Sequence, residues 1–284
     1  MAKERALPDQ ISFSAGISAC EKAGEWQIAI SLLSQMPRAK AVPNEVSFSA
    51  SISACHRGSE WQKALSLLAL MPAARVWPNE VSFSAAISAC EKGGEWQMAL
   101  MLLSQMPRAR VVPNEISLSA AMAACAKRGE WVTSLHLLSE IPSPNRISYT
   151  AAISACEKGG EWLLALCLLS EMSSVKVLPD LMCINASISS CEKAGQWQMA
   201  LLLLAQMPSS RFSPDQISFN AAISACGKVG NWQVALFLLA HMSTVKIAPN
   251  DISFSAGISA CERRCRVSQQ SRRLAKRSWR LPPV

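Results

Sequence analysis

The sequence predicts an all-α solenoid of tandem helix-turn-helix repeats. Three residue series predict it. Trp26, Trp61, Trp96, Trp131, Trp162, Trp197 and Trp232 fall at steps of 35, 35, 35, 31, 35 and 35. Cys20, Cys55, Cys90, Cys125, Cys156, Cys191, Cys226 and Cys261 keep the same rhythm, as do Pro8, Pro43, Pro78, Pro113, Pro144, Pro179, Pro214 and Pro249. A fixed period in this range marks stacked units that each bury an apolar face against their neighbours. Seven full units and part of an eighth fill most of the 284 residues. The array therefore replaces the one or two domains that length alone suggests.

The chain opens with a lead, residues 1–9. It lacks the apolar core of a signal peptide, and Glu4 and Asp9 argue against a transit peptide. The array follows over residues 10–261. Unit three shows its logic. Val81-Ser82-Phe83-Ser84 alternates as a strand would, but only for four residues. Phe83, Ala86/Ile87 and Cys90 then recur at i, i+3/i+4 and i+7, one face of a helix. Gly93-Gly94 breaks the chain. Trp96, Ala99/Leu100, Leu103 and Met106 form a second helical face, with Pro107 at its end. Two antiparallel helices of about 11–13 residues joined by a tight turn are expected. Asn or Asp after each unit's closing proline is a helix start signal. The fourth unit is four residues short, and the loss falls in the loop between Ile141 and Pro144. A tail, residues 262–284, closes the chain.

Charge and cysteines narrow the function classes. The net charge is +8, but the tail alone carries +7, so the body is nearly neutral and charge by itself does not argue for nucleic acid. The Arg-rich run Arg263 to Arg280 reads as a solvated extension that could add sequence-independent phosphate affinity. Cysteines that recur with the repeat are packing residues, expected as buried free thiols in a reducing compartment. Equivalent positions in stacked hairpins lie about 8–10 Å apart, too far for a disulfide. There is no CxxC pair, no Gly-rich phosphate loop and no Ser-His-Asp pattern. His56, His136 and His241 do not recur in register. No enzyme, metal or cofactor is expected. The longest apolar run, Met199 to Leu204, is far below the ~20 residues that cross a bilayer.

The unit's pattern, Ile/Val-Ser-Phe-Ser, Cys-Glu-Lys-x-Gly, Ala-Leu, Leu-Leu, Met and a closing Pro-Asn or Pro-Asp, resembles the pentatricopeptide repeat over residues 8 to 261. Gly24, Ala29, Met36, Pro43 and Asn44 carry it in the first unit; Ser59, Ser134 and Ile141 depart from it. The resemblance implies a right-handed superhelix and a pure-repeat protein without a C-terminal catalytic domain. It implies binding of single-stranded RNA at one base per repeat. The base-reading pairs it implies are Ser14 with Asn44, Ser49 with Asn79, Ser84 with Asn114, Ser119 with Asn145, Thr150 with Asp180, Asn185 with Asp215, and Asn220 with Asn250. In the family a small hydroxyl with Asn favours A, Thr with Asp favours G, Asn with Asp favours U, and Asn with Asn favours C or U. The implied site is AAAAGU followed by C or U. The apolar residue ahead of each pair, Ile11, Val46, Val81, Ile116, Ile147, Met182 or Ile217, would wedge between bases. The resemblance further implies a monomer working with other organellar RNA-processing proteins in mitochondrion or plastid, on RNA processing, stability or translation.

Plainer readings stand beside these. Asn and Asp after proline can serve only as helix caps. The Ser, Thr and Asn partners can serve only close helix packing. The tryptophans read as core rather than base platforms. A scaffold solenoid for other proteins is the alternative function.

Overall fold

A computed structural model of the protein describes residues 9–208 and 212–263. The lead up to Pro8, and the tail from Arg264 through Cys265 to Arg280 and beyond, lie outside the described residues. Every described element is helical, and the chain divides into two compact units, Met1–Ala155 and Cys156–Val284. The first holds α1 (Gln10–Ala23), α2 (Trp26–Gln35), α3 (Glu45–Arg57), α4 (Trp61–Leu70), α5 (Glu80–Gly93), α6 (Trp96–Gln105), α7 (Glu115–Arg128) and α8 (Trp131–Glu140). The division falls inside α9 (Arg146–Gly159). The second unit continues with α10 (Trp162–Ser174), α11 (Leu181–Lys193), α12 (Trp197–Gln206), α13 (Gln216–Val229), α14 (Trp232–Thr244) and α15, described over residues 251–263. α15 thus runs two residues past the array boundary read from the sequence.

Within each unit the odd-numbered helices pack side by side: α1 on α3, α3 on α5, α5 on α7, and α11 on α13. α2, α4, α6 and α12 each pack on their hairpin partner and on the following odd-numbered helix, as α2 does on α1 and α3, and α12 on α11 and α13. Small residues permit the first contact. Ala54, Ala89, Ala124 and Ala225 are fully buried. Bulk fills the hairpins: Ile52, Ile87 and Met122 from odd helices, and Met36, Met71 and Met106 from even ones, are fully buried. Burying such a side chain contributes about 1.5–3 kcal/mol.

Each odd helix from α1 to α13 ends in a left-handed residue whose neighbour reaches back to the repeating cysteine. The N–H of Glu25 donates to the Cys20 carbonyl at 3.0 Å, Glu60 to Cys55 at 2.9 Å, and Glu95 to Cys90 at 2.9 Å. Glycine fills the left-handed position at Gly24, Gly94, Gly129, Gly160, Gly195 and Gly230, but Ser59 holds it with φ 61°. A second glycine position has another cause. A Cβ on Gly58 would stand 2.3 Å from Trp26, and one on Gly93 would stand 2.4 Å from Trp61. The seven periodic tryptophans are half-buried. Trp26 and Trp61 lean on the end of the next repeat's first helix, while Trp162, Trp197 and Trp232 pack against the buried core of the second unit, as a core reading expects.

The short fourth repeat keeps both helices, α7 and α8. What it lacks is the turn that follows the other even helices of the first unit, such as Pro72–Ala74 with left-handed Arg75 and Pro107–Ala109 with left-handed Arg110. The recurring cysteines from Cys55 to Cys226 are buried free thiols, whereas Cys20 and Cys261 are half-buried and Cys167 is exposed.

Two expectations follow from this packing. Ser59→Gly removes a left-handed cost of about 1–2 kcal/mol for a non-glycine residue, so its urea midpoint should rise above that of the parent. Burial pushes the thiols of Cys55, Cys90, Cys156, Cys191 and Cys226 up to about 11 from an ordinary 9.0. A raised folded value stabilises the fold below the unfolded value and stops doing so as pH climbs through the folded one. The urea midpoint should therefore fall between pH 9 and 11, and Cys90→Ala should make that fall shallower.

Candidate functional site

The first turn of an α-helix leaves backbone N–H groups without a partner in the helix. Here the residue after each closing proline meets them. Asn44, Asn79 and Asn114 have extended backbones and accept through Oδ1 from the N–H of Ser47 (2.9 Å), Ser82 (2.9 Å) and Ser117 (2.8 Å). Those serines return the bond, accepting through Oγ from the backbone N–H of Asn44, Asn79 and Asn114. Asn145 and Asn250 cap through Oδ1 in the same way, and Asp180 and Asp215 use Oδ1 toward Cys183 and Ser218. Capping is thus real at all seven positions, and it has a further result. With Oδ1 engaged by the helix, the Nδ2 donor of an asparagine and the second carboxylate oxygen of an aspartate are left for partners beyond that helix.

The structure brings most of the expected pairs together. Ser84 Oγ lies 3.4 Å from Asn114 Oδ1. Asn185 Nδ2 donates to both oxygens of Asp215 at 3.2 Å, and Asn220 Nδ2 to Asn250 Oδ1 at 3.2 Å. Ser119 reaches Asn145 through Ser148, whose hydroxyl is 3.5 Å from Ser119 Oγ and 3.1 Å from Asn145 Oδ1. Ser14 and Asn44 line one pocket of about 450 Å³, and Ser49 and Asn79 another of about 250 Å³. Thr150 belongs to the first unit, where its hydroxyl donates to the Arg146 carbonyl at 2.7 Å; Asp180 belongs to the second, where it caps α11. Close packing accounts for part of the serine series, since Ser49, Ser84 and Ser119 are only 7–8% exposed. Thr150, Asn185 and Asn220 are half-buried.

Apolar walls flank these pairs. Ile11, Val46, Val81, Ile116, Ile147, Met182 and Ile217 are all more than half exposed. Ile11 and Val46 both line the pocket of Ser14 and Asn44, and Val46 and Val81 both line that of Ser49 and Asn79. Each pocket therefore sits between the walls of consecutive repeats. By that logic the seventh needs an eighth wall. Ile252, 64% exposed, holds the position, and the repeat period alone could have named it. The neutral balance of the body also hides a periodic cation. Lys22, Arg57, Lys92, Lys127, Lys158, Lys193, Lys228 and Arg263 close the first helices. Glutamates of the preceding helices offset them, with Lys127 2.9 Å from Glu91, Lys193 2.8 Å from Glu157 and Lys228 2.8 Å from Glu192. Among the described residues no cluster of side chains could hold a metal ion, and no helix is long and apolar enough to cross a membrane.

Comparison with known proteins places this geometry. A pentatricopeptide repeat domain matches residues 167–229 and 202–264, and a PPR repeat matches residues 11–40, 81–111 and 147–177. A search of the curated proteins returned no match. Among solved structures, the pentatricopeptide repeat protein PPR10 from maize aligns with a TM-score of 0.63 at 24% identity, over 86% of this chain and 36% of its own. PPR10 in complex with an 18-nt psaJ RNA element aligns with a TM-score of 0.58 at 16% identity, over 91% of this chain and 43% of its own. The Arabidopsis thaliana nuclear protein-only RNase P 2 aligns at 0.55 and 12% identity, over 64% and 42%. At these identities the likeness is one of fold, and the chain spans about two fifths of each matched structure.

The cap makes a prediction. Replacing a capping Asn by Ala costs about 0.5–2 kcal/mol, so Asn114→Ala should lower the urea midpoint. Asn114→Asp keeps Oδ1 on the helix N-terminus but loses the amide donor to Glu80, so it should lower the midpoint less than Asn114→Ala does.

Proposed function

The chain belongs to the pentatricopeptide repeat family, and from that premise we propose that it binds single-stranded RNA with one base held at each repeat. The observation that carries the reading is the exposed apolar ladder. Ile11, Val46, Val81, Ile116 and Ile147 in the first unit, and Met182, Ile217 and Ile252 in the second, stand exposed at the repeat spacing, and each unit carries Asn or Asp helix caps at the same period. Unstacked bases offer flat faces to such walls and their Watson–Crick edges to the polar pair.

The caps give the reading its chemical sense. An outward Nδ2–H meets a ring nitrogen that accepts, as N1 of adenine or N3 of cytosine does. An outward carboxylate oxygen meets a ring N–H, as guanine and uracil present. Asn44, Asn79, Asn114 and Asn145 therefore suit A, Asp180 and Asp215 suit G and U, and Asn250 suits C. That agrees with the site AAAAGU followed by C or U. The size of the partner then separates purine from pyrimidine: Ser14, Ser49, Ser84, Ser119 and Thr150 are short, while Asn185 and Asn220 reach further toward a smaller base. The basic residues that end the first helices supply sequence-independent attraction for phosphates, and this share of affinity weakens with salt. Through occupancy of a transcript, in an organelle, the protein would protect, remodel or position RNA.

The test is binding of the full chain to AAAAGUC and to AAGAGUC, read by fluorescence anisotropy at two salt concentrations. The parent should prefer AAAAGUC by about tenfold, or ~1.4 kcal/mol. Asn114→Asp should shift that preference toward G at the third base only. Equal affinity of the parent for both oligomers would refute the base reading.

A further inference from the structure

The asparagine donors of repeats two to four do not stand alone. Asn79 Nδ2 donates to Glu45 Oε2 at 3.3 Å, Asn114 Nδ2 donates to Glu80 Oε1, and Asn145 Nδ2 donates to Glu115 Oε1. Each glutamate is the first residue of the preceding odd helix and sits directly before an apolar wall: Val46, Val81 or Ile116. All three glutamates are exposed. A carboxylate at a helix N-terminus is favoured by the helix dipole. That preference is met within its own helix and does not account for a bond to the cap of the next one.

We propose that Glu45, Glu80 and Glu115 are a third base-discriminating group in these repeats. The inference rests on the RNA reading above. Asn Nδ2 and Glu Oε form a donor and an acceptor side by side, held in register by their mutual hydrogen bond. Adenine presents the complement on its Watson–Crick edge, an accepting N1 beside a donating N6 amino group. Guanine and uracil present a donating ring N–H beside a keto oxygen, which the carboxylate repels. The pocket of repeat two shows the arrangement. Glu45 lines it together with Asn79, Ser49, Val46 and Val81. Ser49 is 7% exposed, and its Oγ is buried without a hydrogen-bond partner among the described residues. Since the short serine is nearly covered, the edge of an incoming base is left to Asn79 and Glu45. The device is confined to part of the array. The same position is Gln10 in repeat one, Leu181 in repeat six and Gln216 in repeat seven, and Gln216 Nε2 instead donates to the Ala248 carbonyl at 2.8 Å.

Purine riboside separates this from a structural role, because it keeps N1 and lacks the amino group. The full chain is titrated with AAAAGUC carrying adenosine, purine riboside or guanosine at the second, third or fourth position. For the parent, the purine substitution should weaken binding about tenfold at each of these, and less at the first position, where Gln10 stands. Glu45→Ala should abolish the penalty at the second position only, Glu80→Ala at the third only and Glu115→Ala at the fourth only, each narrowing the preference for A over G there. Three independent sites keep the test open if one variant fails to fold. Variants that keep the parent's penalty, or that weaken binding equally at every position, would overturn the proposal and leave the glutamates as helix-end fasteners. A parent indifferent to A against G would instead defeat the RNA reading on which it rests.

Discussion

The hydrogen bond from the start of each first helix to the side chain after the closing proline is the constraint on which the rest depends. It satisfies backbone donors that a helix leaves open, and it does so with the one atom, Oδ1, that Asn and Asp share. Everything that distinguishes the two residues is thereby turned away from the helix. A stabilising contact common to all repeats and a chemical difference between repeats are carried by the same side chain at Asn44, Asn79, Asn114, Asn145, Asp180, Asp215 and Asn250. Capping therefore does not compete with the proposed base recognition, because the two would use different atoms of one side chain.

The packing makes that geometry repeat. Fully buried alanines such as Ala89 and Ala124 let neighbouring first helices lie close, so successive caps, walls and partner residues come into one row within each compact unit. Tryptophan plays a part that its size does not suggest. Trp26 and Trp61 are half-buried and press against Gly58 and Gly93 of the following repeat, where no Cβ would fit. The contact ties one hairpin to the next through a close approach rather than through a filled core. The repeating thiols sit where the helix ends, and their carbonyls receive the bond that closes the first helix. Their regular spacing reflects packing and chain reversal, with no redox pairing among them.

Much of the fold was legible because a solenoid reduces tertiary structure to a local rule. The period of Trp, Cys and Pro fixes where each hairpin begins, turns and ends, and the four-residue loss at Ile141 to Pro144 falls in a loop, as the sequence indicates. Individual exceptions also carried physical meaning: Ser59 departs from glycine in the sequence and holds the strained left-handed turn in the structure. The candidate site was legible as a set of residues, since Ser84 and Asn114, Asn185 and Asp215, and Asn220 and Asn250 recur in register and meet. The glutamates beside the asparagines were not, because Glu45, Glu80 and Glu115 are ordinary first-turn residues in the sequence. The periodic cation is visible in the Cys-Glu-Lys pattern, but its pairing is not, because the glutamates that neutralise it belong to a different helix.

By itself the sequence determined the number and order of hairpins, their turns, and which positions vary while the framework stays constant. Those properties depend on contacts within a repeat or between neighbours, and a period records them directly. Only the tertiary structure decided which atom each capping side chain gives to its helix, how far each serine is covered, and that a carboxylate thirty or more residues upstream stands against an asparagine amide. These are matters of direction and distance between separate helices, and a linear pattern of residue types does not contain them.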